Sequence, residues 1–223
     1  MDVNDADNIK VVKNKKIILL DTVVSALYTG STEREERAMR DEYLENLFPA
    51  FLEIGNEELR EKSEAAMRMA MEAGGWDEET LHLCPVTLNW EGCDVSWIEH
   101  VTDVTAACIG EYDRLAKYYR RHGAEFDRDT VAAGALLHDI GKLTEFVVNE
   151  KREPVHGGNF ELMRHPLSGA ILAAKAGLPD KIVHLIATHS FEGDRSYQTA
   201  ESVFVRTIDM FVFNCSVRGL KKK

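Results

Sequence analysis

Beyond Asp94, apolar residues recur three or four positions apart. Trp97, Val101, Val104, Cys108, Tyr112, Leu115 and Tyr119 make one stripe and predict a long amphipathic helix. Arg120-Arg121-His122-Gly123 reads as its end, with positive charge in the last turn and glycine beyond, which makes His122 a capping or solvent residue. Asp127 or Asp129 opens the next helix. That helix continues through the unbroken apolar run Val131-Ala132-Ala133-Gly134-Ala135-Leu136-Leu137 to His138-Asp139, where Gly141 permits the chain to turn. Further helices are predicted over 166–176, 179–188 and 199–213.

Upstream the pattern is less regular. Residues 11–24 read as a strand or a short helix. Thr32 with Glu35 forms a capping box that opens a charged helix to about Phe48, and Asn56 caps another to about Ala73, before Gly74-Gly75. Phe48, Phe51 and Leu52 are expected to pack against the main domain. Residues 74–94 carry Pro85, three glycines and two tryptophans, the composition of a connecting region or a short hairpin. The expected fold class is therefore all-α. It divides into a mostly helical N-terminal extension over 1–94 with a structural or oligomerisation role, a main domain over 95–215, and a basic tail over 216–223.

At 223 residues the chain can bury one substantial core and is short for two enzyme domains. Lysine and arginine total 27 against 38 aspartates and glutamates, a formal charge of -11 that repels a polyanion, so no long nucleic acid is expected as a partner. A small anion remains compatible, because divalent cations would make a pocket locally positive. Cys84, Cys93, Cys108 and Cys215 form no Cys-x-x-Cys pair and no dense framework, and are read as reduced thiols. Ile17-Ile18-Leu19-Leu20 is too short to span a membrane, and Asp21 interrupts it. The expectation is a soluble, cytoplasmic chain with no membrane partner, for which the Asn214-Cys215-Ser216 sequon has no consequence.

The chemistry concentrates where the apolar run ends. An imidazole and a carboxylate at His138-Asp139 are costly to bury without a strong partner, and their nitrogen and oxygen donors suit zinc, iron or manganese. His100 lies beside the buried stripe of the long helix, a position usual for a satisfied core histidine. His165, before Pro166, stands at a helix entrance as either a ligand or a cap. His189 shares a face with Ile182 and Ile186, whereas His184 points away. Asp209, among Val203, Val205, Ile208, Met210 and Phe211, requires compensation by a metal or by an arginine, with Arg206 one turn earlier. Lys142, Arg164, Arg195 and Arg206 are candidate anion-binding residues, with Lys142 alternatively a lysine answering a helix dipole. His156 sits in a glycine-bearing loop, either beside the pocket or on the surface, and His82 lacks nearby partners.

His138-Asp139-Ile140-Gly141-Lys142, with His100 before it and His165, His189 and Asp209 after it, resembles the HD superfamily of metal-dependent phosphohydrolases and oxygenases, over roughly Val95 to Cys215. The resemblance implies an HD-domain helical bundle of about five helices. It implies one metal held by His100, His138, Asp139 and Asp209, and a second completed by His165 and His189 with Asp139 as the bridging carboxylate. The cofactors would be two divalent ions, iron, manganese or zinc. The implied activity is a metal-dependent phosphohydrolase acting on a small phosphorylated substrate through a metal-activated hydroxide. Asp139 and Lys142 would serve catalysis, and Lys142, Arg206 and Arg164 would bind the anionic substrate. The alternative within the same superfamily is a di-iron oxygenase, similar to the myo-inositol oxygenase type, cleaving a C–C or C–P bond. A homo-oligomer is compatible with either.

Overall fold

The computed structural model describes residues 42–218 apart from positions 91, 125 and 159. The element expected over 11–24, the capping box at Thr32 and most of the basic tail lie outside the described residues. The chain divides between Leu47 and Phe48 into two compact units. Of the first, residues 42–47 are described and are helical. The second begins at Phe48, so residues 48–94 belong to the same unit as the stretch after Val95.

Within that unit the helices run in the order α1 (Glu57–Gly74), α2 (Trp97–Arg121), α3 (Arg128–Leu137), a single turn α4 (Lys142–Glu145), α5 (His165–Lys175), α6 (Asp180–Thr188) and α7 (Ala200–Phe213). The apolar run becomes α3, in which every residue from Thr130 to Leu137 is buried. A helix apolar on all sides needs neighbours on all sides. Here α1, α2, α6 and α7 all pack against α3. Gly134 lets α6 approach, since a β-carbon there would stand 2.5 Å from Leu185 Cδ1. Val104, Cys108, Val131, Ala135, Leu185 and Val205 form one buried cluster across α2, α3, α6 and α7. The architecture is all-α, as expected.

The helix boundaries follow local chemistry. Asn56 Oδ1 accepts from Leu59 N at the start of α1, and Gly75, at φ 73, ends it in the left-handed conformation that glycine adopts without steric cost. The long helix begins at Trp97 under a capping box that Ser96 and Glu99 form, a signal in the sequence that places the start after Asp94. Asp127, rather than Asp129, caps α3. Asp129 instead accepts from Gly55 N at 3.0 Å and Asn56 N at 2.8 Å, holding the entrance of α1. Phe48 and Phe51 are buried, with the Phe48 ring 5.7 Å from that of Trp97, but Leu52 is 59 % exposed and does not pack as expected.

Two departures bear on the site. Gly141 has φ -64 and ψ -20, values open to any residue, so it does not supply a special turn. It supplies closeness: a β-carbon there would lie 2.0 Å from the carbonyl oxygen of His165 and 2.7 Å from Gly169 N. The second departure is a two-stranded antiparallel hairpin, β1 (Phe146–Val148) with β2 (Pro154–His156), inserted between α4 and α5. Over 74–94, expected as a connection or hairpin, the chain makes a 3-10 turn at Leu81–Leu83 and an antiparallel bridge of Pro85 with Ser96. The four cysteines are free. Among the described residues no helix is long and apolar enough to cross a membrane.

Candidate metal centre

The end of α3 carries His138 and Asp139 into the middle of the bundle, where both are almost fully buried. Trp97 Nε1 donates to the Asp139 carbonyl at 3.0 Å, fixing this turn against α2. From α2, His100 Nε2 comes within 3.5 Å of Asp139 Oδ2, 3.4 Å of His138 Nε2 and 3.0 Å of Asp209 Oδ1 on α7. His138 Nε2 lies 3.4 Å from Asp139 Oδ2 and 3.6 Å from Asp209 Oδ1. The other oxygen, Asp139 Oδ1, faces His165 Nε2 at 3.4 Å and His189 Nε2 at 3.3 Å. Thus all six residues chosen from the sequence converge, His165 from the start of α5 and His189 just past the end of α6. One carboxylate stands between two sets of donors.

The outer ring nitrogens are committed elsewhere. His138 Nδ1 donates to Ala135 O at 2.6 Å and His189 Nδ1 to Ile186 O at 2.7 Å, which directs each Nε2 inward. His165 Nδ1 donates to Glu145 Oε2 at 2.7 Å. The Nδ1 of His100 is buried with no hydrogen-bond partner among the described residues. Four imidazole nitrogens converging on two buried carboxylates form a nitrogen and oxygen donor set that fits divalent iron, manganese or zinc. The donor atoms of His100, His138 and Asp139, and those of Asp139, His165 and His189, each lie within 4.8 Å of one another.

Charge in this interior is balanced by neighbours. Burial opposes ionisation of Asp139, but the Lys142 ammonium and the His138 imidazole hold its carboxyl well below the usual range. Burial likewise opposes ionisation of Asp209, and His138 and His100 hold it low. Burial disfavours a charged His138, yet the two carboxylates outweigh burial and raise it to about 10. At His100 and His165 burial wins and lowers both.

These directions give the metal-free chain a pH optimum of stability. Below 6.5 the unfolded chain protonates His100 and His165 more readily than the folded chain does, so stability falls with pH. Below about 3.8 the contribution of Asp139 and Asp209 is lost as well, as pH falls through their lowered folded values. The contribution of His138 is complete below 6.5 and is lost as pH rises to about 10. Thermal melts in chelator are expected to peak near neutrality and to decline on the alkaline side, with added manganese flattening that alkaline limb. A melting temperature climbing steadily above neutrality contradicts this balance.

Over the carboxylates opens a cleft of about 440 Å³. Asp139, Glu145, His165, His189 and Asp209 form its acidic and imidazole lining, Lys142, Arg164 and Arg206 bring positive charge, and Trp90, Phe191 and Phe213 supply aromatic surface. Lys142 Nζ is 2.6 Å from Asp139 Oδ2 and 6.0 Å from the centre of the Phe213 ring. It lies in the single turn α4, and its ammonium pairs with the Asp139 carboxylate. Arg206 does not compensate Asp209 as the sequence allows; it pairs with Asp194. Arg164 pairs with Glu145 at 3.0 Å and Glu192 at 3.4 Å, with its guanidinium 5.3 Å over Phe191.

The remaining candidates lie apart from the donors. Arg195 is exposed. His122 caps α2, His156 stacks on Phe160 at 4.1 Å in the hairpin, and His184 lies beside Tyr197. The sequence reading passes over Glu145 and over the wall of the cleft at Thr87, Asn89 and Trp90. No local pattern marks them. Glu145 follows Lys142 by three on a single helical turn, and its partners come from a separate helix.

Comparison with known proteins agrees with the geometry. Residues 99–212 match the HD domain family. The dihydroneopterin 2',3'-cyclic phosphate phosphodiesterase of Methanocaldococcus jannaschii is 30% identical to this chain over 164 residues, covering 72% of the chain and 64% of the relative. The chain thus spans less than two thirds of the length of that curated relative. No solved structure gives a significant match.

Proposed function

Because the chain belongs to the HD domain family, we propose that it is a metal-dependent phosphohydrolase acting on a small phosphodiester, of the cyclic kind named for its archaeal relative. The observation that carries this reading is the division of Asp139, with Oδ2 toward His100 and His138 and Oδ1 toward His165 and His189. Two divalent ions bound there, of iron, manganese or zinc, would lower the pKa of water and neutralise charge on a phosphoryl oxygen. His100, His138, Asp139 and Asp209 would hold one; His165, His189 and the shared Asp139 would hold the other.

The rest of the work falls to side chains around the cleft. Arg164 and Arg206, each already oriented by a carboxylate, receive the anionic end of the substrate as it enters. Lys142 lies deeper, beside Asp139, where its ammonium would steady the phosphate or the leaving group. The apolar floor beneath His138, made by the buried residues of α3, excludes bulk water from the far side. Separating metal loading from positioning predicts that Lys142→Ala lowers turnover by about a hundredfold. Its metal content, measured by elemental analysis, should stay close to that of the natural chain.

The direct assay supplies the chain, loaded with manganese, iron, cobalt or zinc, with cyclic phosphodiesters, linear diesters and phosphomonoesters, and follows ring opening by phosphorus NMR. Metal-dependent conversion of a cyclic diester to a monoester is the expected result. Failure on every phosphoester, together with oxygen consumption by the di-iron form on a polyol or phosphonate, overturns the hydrolase reading in favour of an oxygenase.

A further inference from the structure

Of the four imidazoles around Asp139, His165 has an outer nitrogen bonded to a carboxylate, whereas those of His138 and His189 meet backbone carbonyls. That carboxylate, Glu145, is 2 % exposed, and each oxygen has its own task. Oε2 accepts from His165 Nδ1 at 2.7 Å and from His165 N at 2.8 Å; Oε1 accepts from Arg164 Nη1 at 3.0 Å. Its backbone is fixed as well: Glu145 N donates to Gly141 O, and Gly157 N donates to Glu145 O at 2.8 Å. The hairpin therefore braces the turn that carries Glu145.

The two sets of donors are unequal. One contains two carboxylates, Asp139 and Asp209, with two imidazoles; the other has the shared Asp139 and two imidazoles. A carboxylate behind an imidazole fixes its ring and makes the inward nitrogen a stronger donor. We propose that Glu145 is a positioning residue that sets the occupancy of the His165 and His189 position and couples it to Arg164 at the mouth of the cleft. The inference rests on the two-metal reading above. It gives Glu145 two roles through one carboxylate: orienting His165 toward the ion, and holding Arg164 where the substrate anion arrives. Because Arg164 and His165 are adjacent at the start of α5, displacing Glu145 releases both.

The test titrates the metal-free, full-length chain with manganese and follows it by calorimetry and electron paramagnetic resonance. The natural chain is expected to show two positions. Glu145→Gln should weaken one by about tenfold to a hundredfold and leave the other within about twofold. His165→Ala should abolish that same position, and adding Glu145→Gln to it should change nothing further. Should Glu145→Gln fail to fold, Glu145→Asp, which keeps the charge but withdraws the oxygens by one methylene, should give the same selective weakening. Arg164→Met should raise KM while both metal affinities stay within about twofold, separating the two roles. Equal weakening of both positions, or of neither, overturns the role of Glu145 and leaves the two-metal reading standing. A natural chain that takes up one ion or none overturns both.

Discussion

Replacing Asp139 with alanine is expected to abolish binding at both metal positions together and to lower kcat/KM by at least about a thousandfold, on the order of 4 kcal/mol of transition-state stabilisation. The reason is that its two oxygens face opposite ways, so its loss removes a donor from both sets at once. His165 or His189 variants remove one. Asp139→Asn separates the roles further: it keeps one acceptor oxygen and the shape of the side chain, but loses the negative charge that balances Lys142 and His138. Elemental analysis with circular dichroism checks the result, because a folded Asp139→Ala chain retaining two tightly bound ions contradicts the shared carboxylate. Lys142, 2.6 Å from Asp139, would lose the carboxylate it pairs with, so the metal-free variant should also melt lower than the natural chain.

Gly141→Ala is expected to cost about 3 kcal/mol, near the upper end for overpacking, which in a chain of this size lowers Tm by roughly 6–12 °C. The backbone angles at Gly141 suit alanine, so the cost is steric alone. The added methyl would stand 2.0 Å from the His165 carbonyl oxygen and 2.7 Å from both Gly169 N and Ser168 Oγ. Backbone cannot swing aside as a side chain can. To make room, α5 must retreat as a body, carrying Arg164 and His165 with it. Gly134→Ala is the comparison, since its nearest atom is the tip of Leu185 and a rotamer change absorbs part of the clash. Thermal melts with a metal titration should show Gly141→Ala losing both stability and the His165 position, and Gly134→Ala losing stability to a smaller extent. A Gly141→Ala chain as stable as the natural one would mean that α5 does not lie where described.

The residues legible in the sequence are those whose signal is local. A charged pair ending an apolar run, a histidine before proline and an aspartate in a greasy helix are each anomalous within a few positions, and those anomalies meet in space. The helices were legible for the same reason, through periodicity and caps. What the sequence concealed depends on distant partners. Arg206 stands one turn from Asp209, yet it pairs with Asp194, because an arginine three residues away can reach past its neighbour to another element. Gly141 follows the pair as a turn glycine would, but its reason is the carbonyl of His165, brought there by packing. Glu145 looks like an ordinary helical acid until α5 places His165 and Arg164 against it. The hairpin over 146–156 is too short to give a strand pattern.

His100 and Asp209 come from near the two ends of the region matched to the family, and they meet at 3.0 Å. Nothing shorter than that whole region can bring them together, so unfolding disperses the donors. Ions that bind the folded form and not the dispersed one act by mass action on the folding equilibrium. At a free concentration a hundred times Kd, each independent position adds about 2.7 kcal/mol. The persistence of this protein is thereby linked to the supply of metal around it: scarcity raises the unfolded fraction, and with it the rate at which proteases remove the chain, before any substrate is involved.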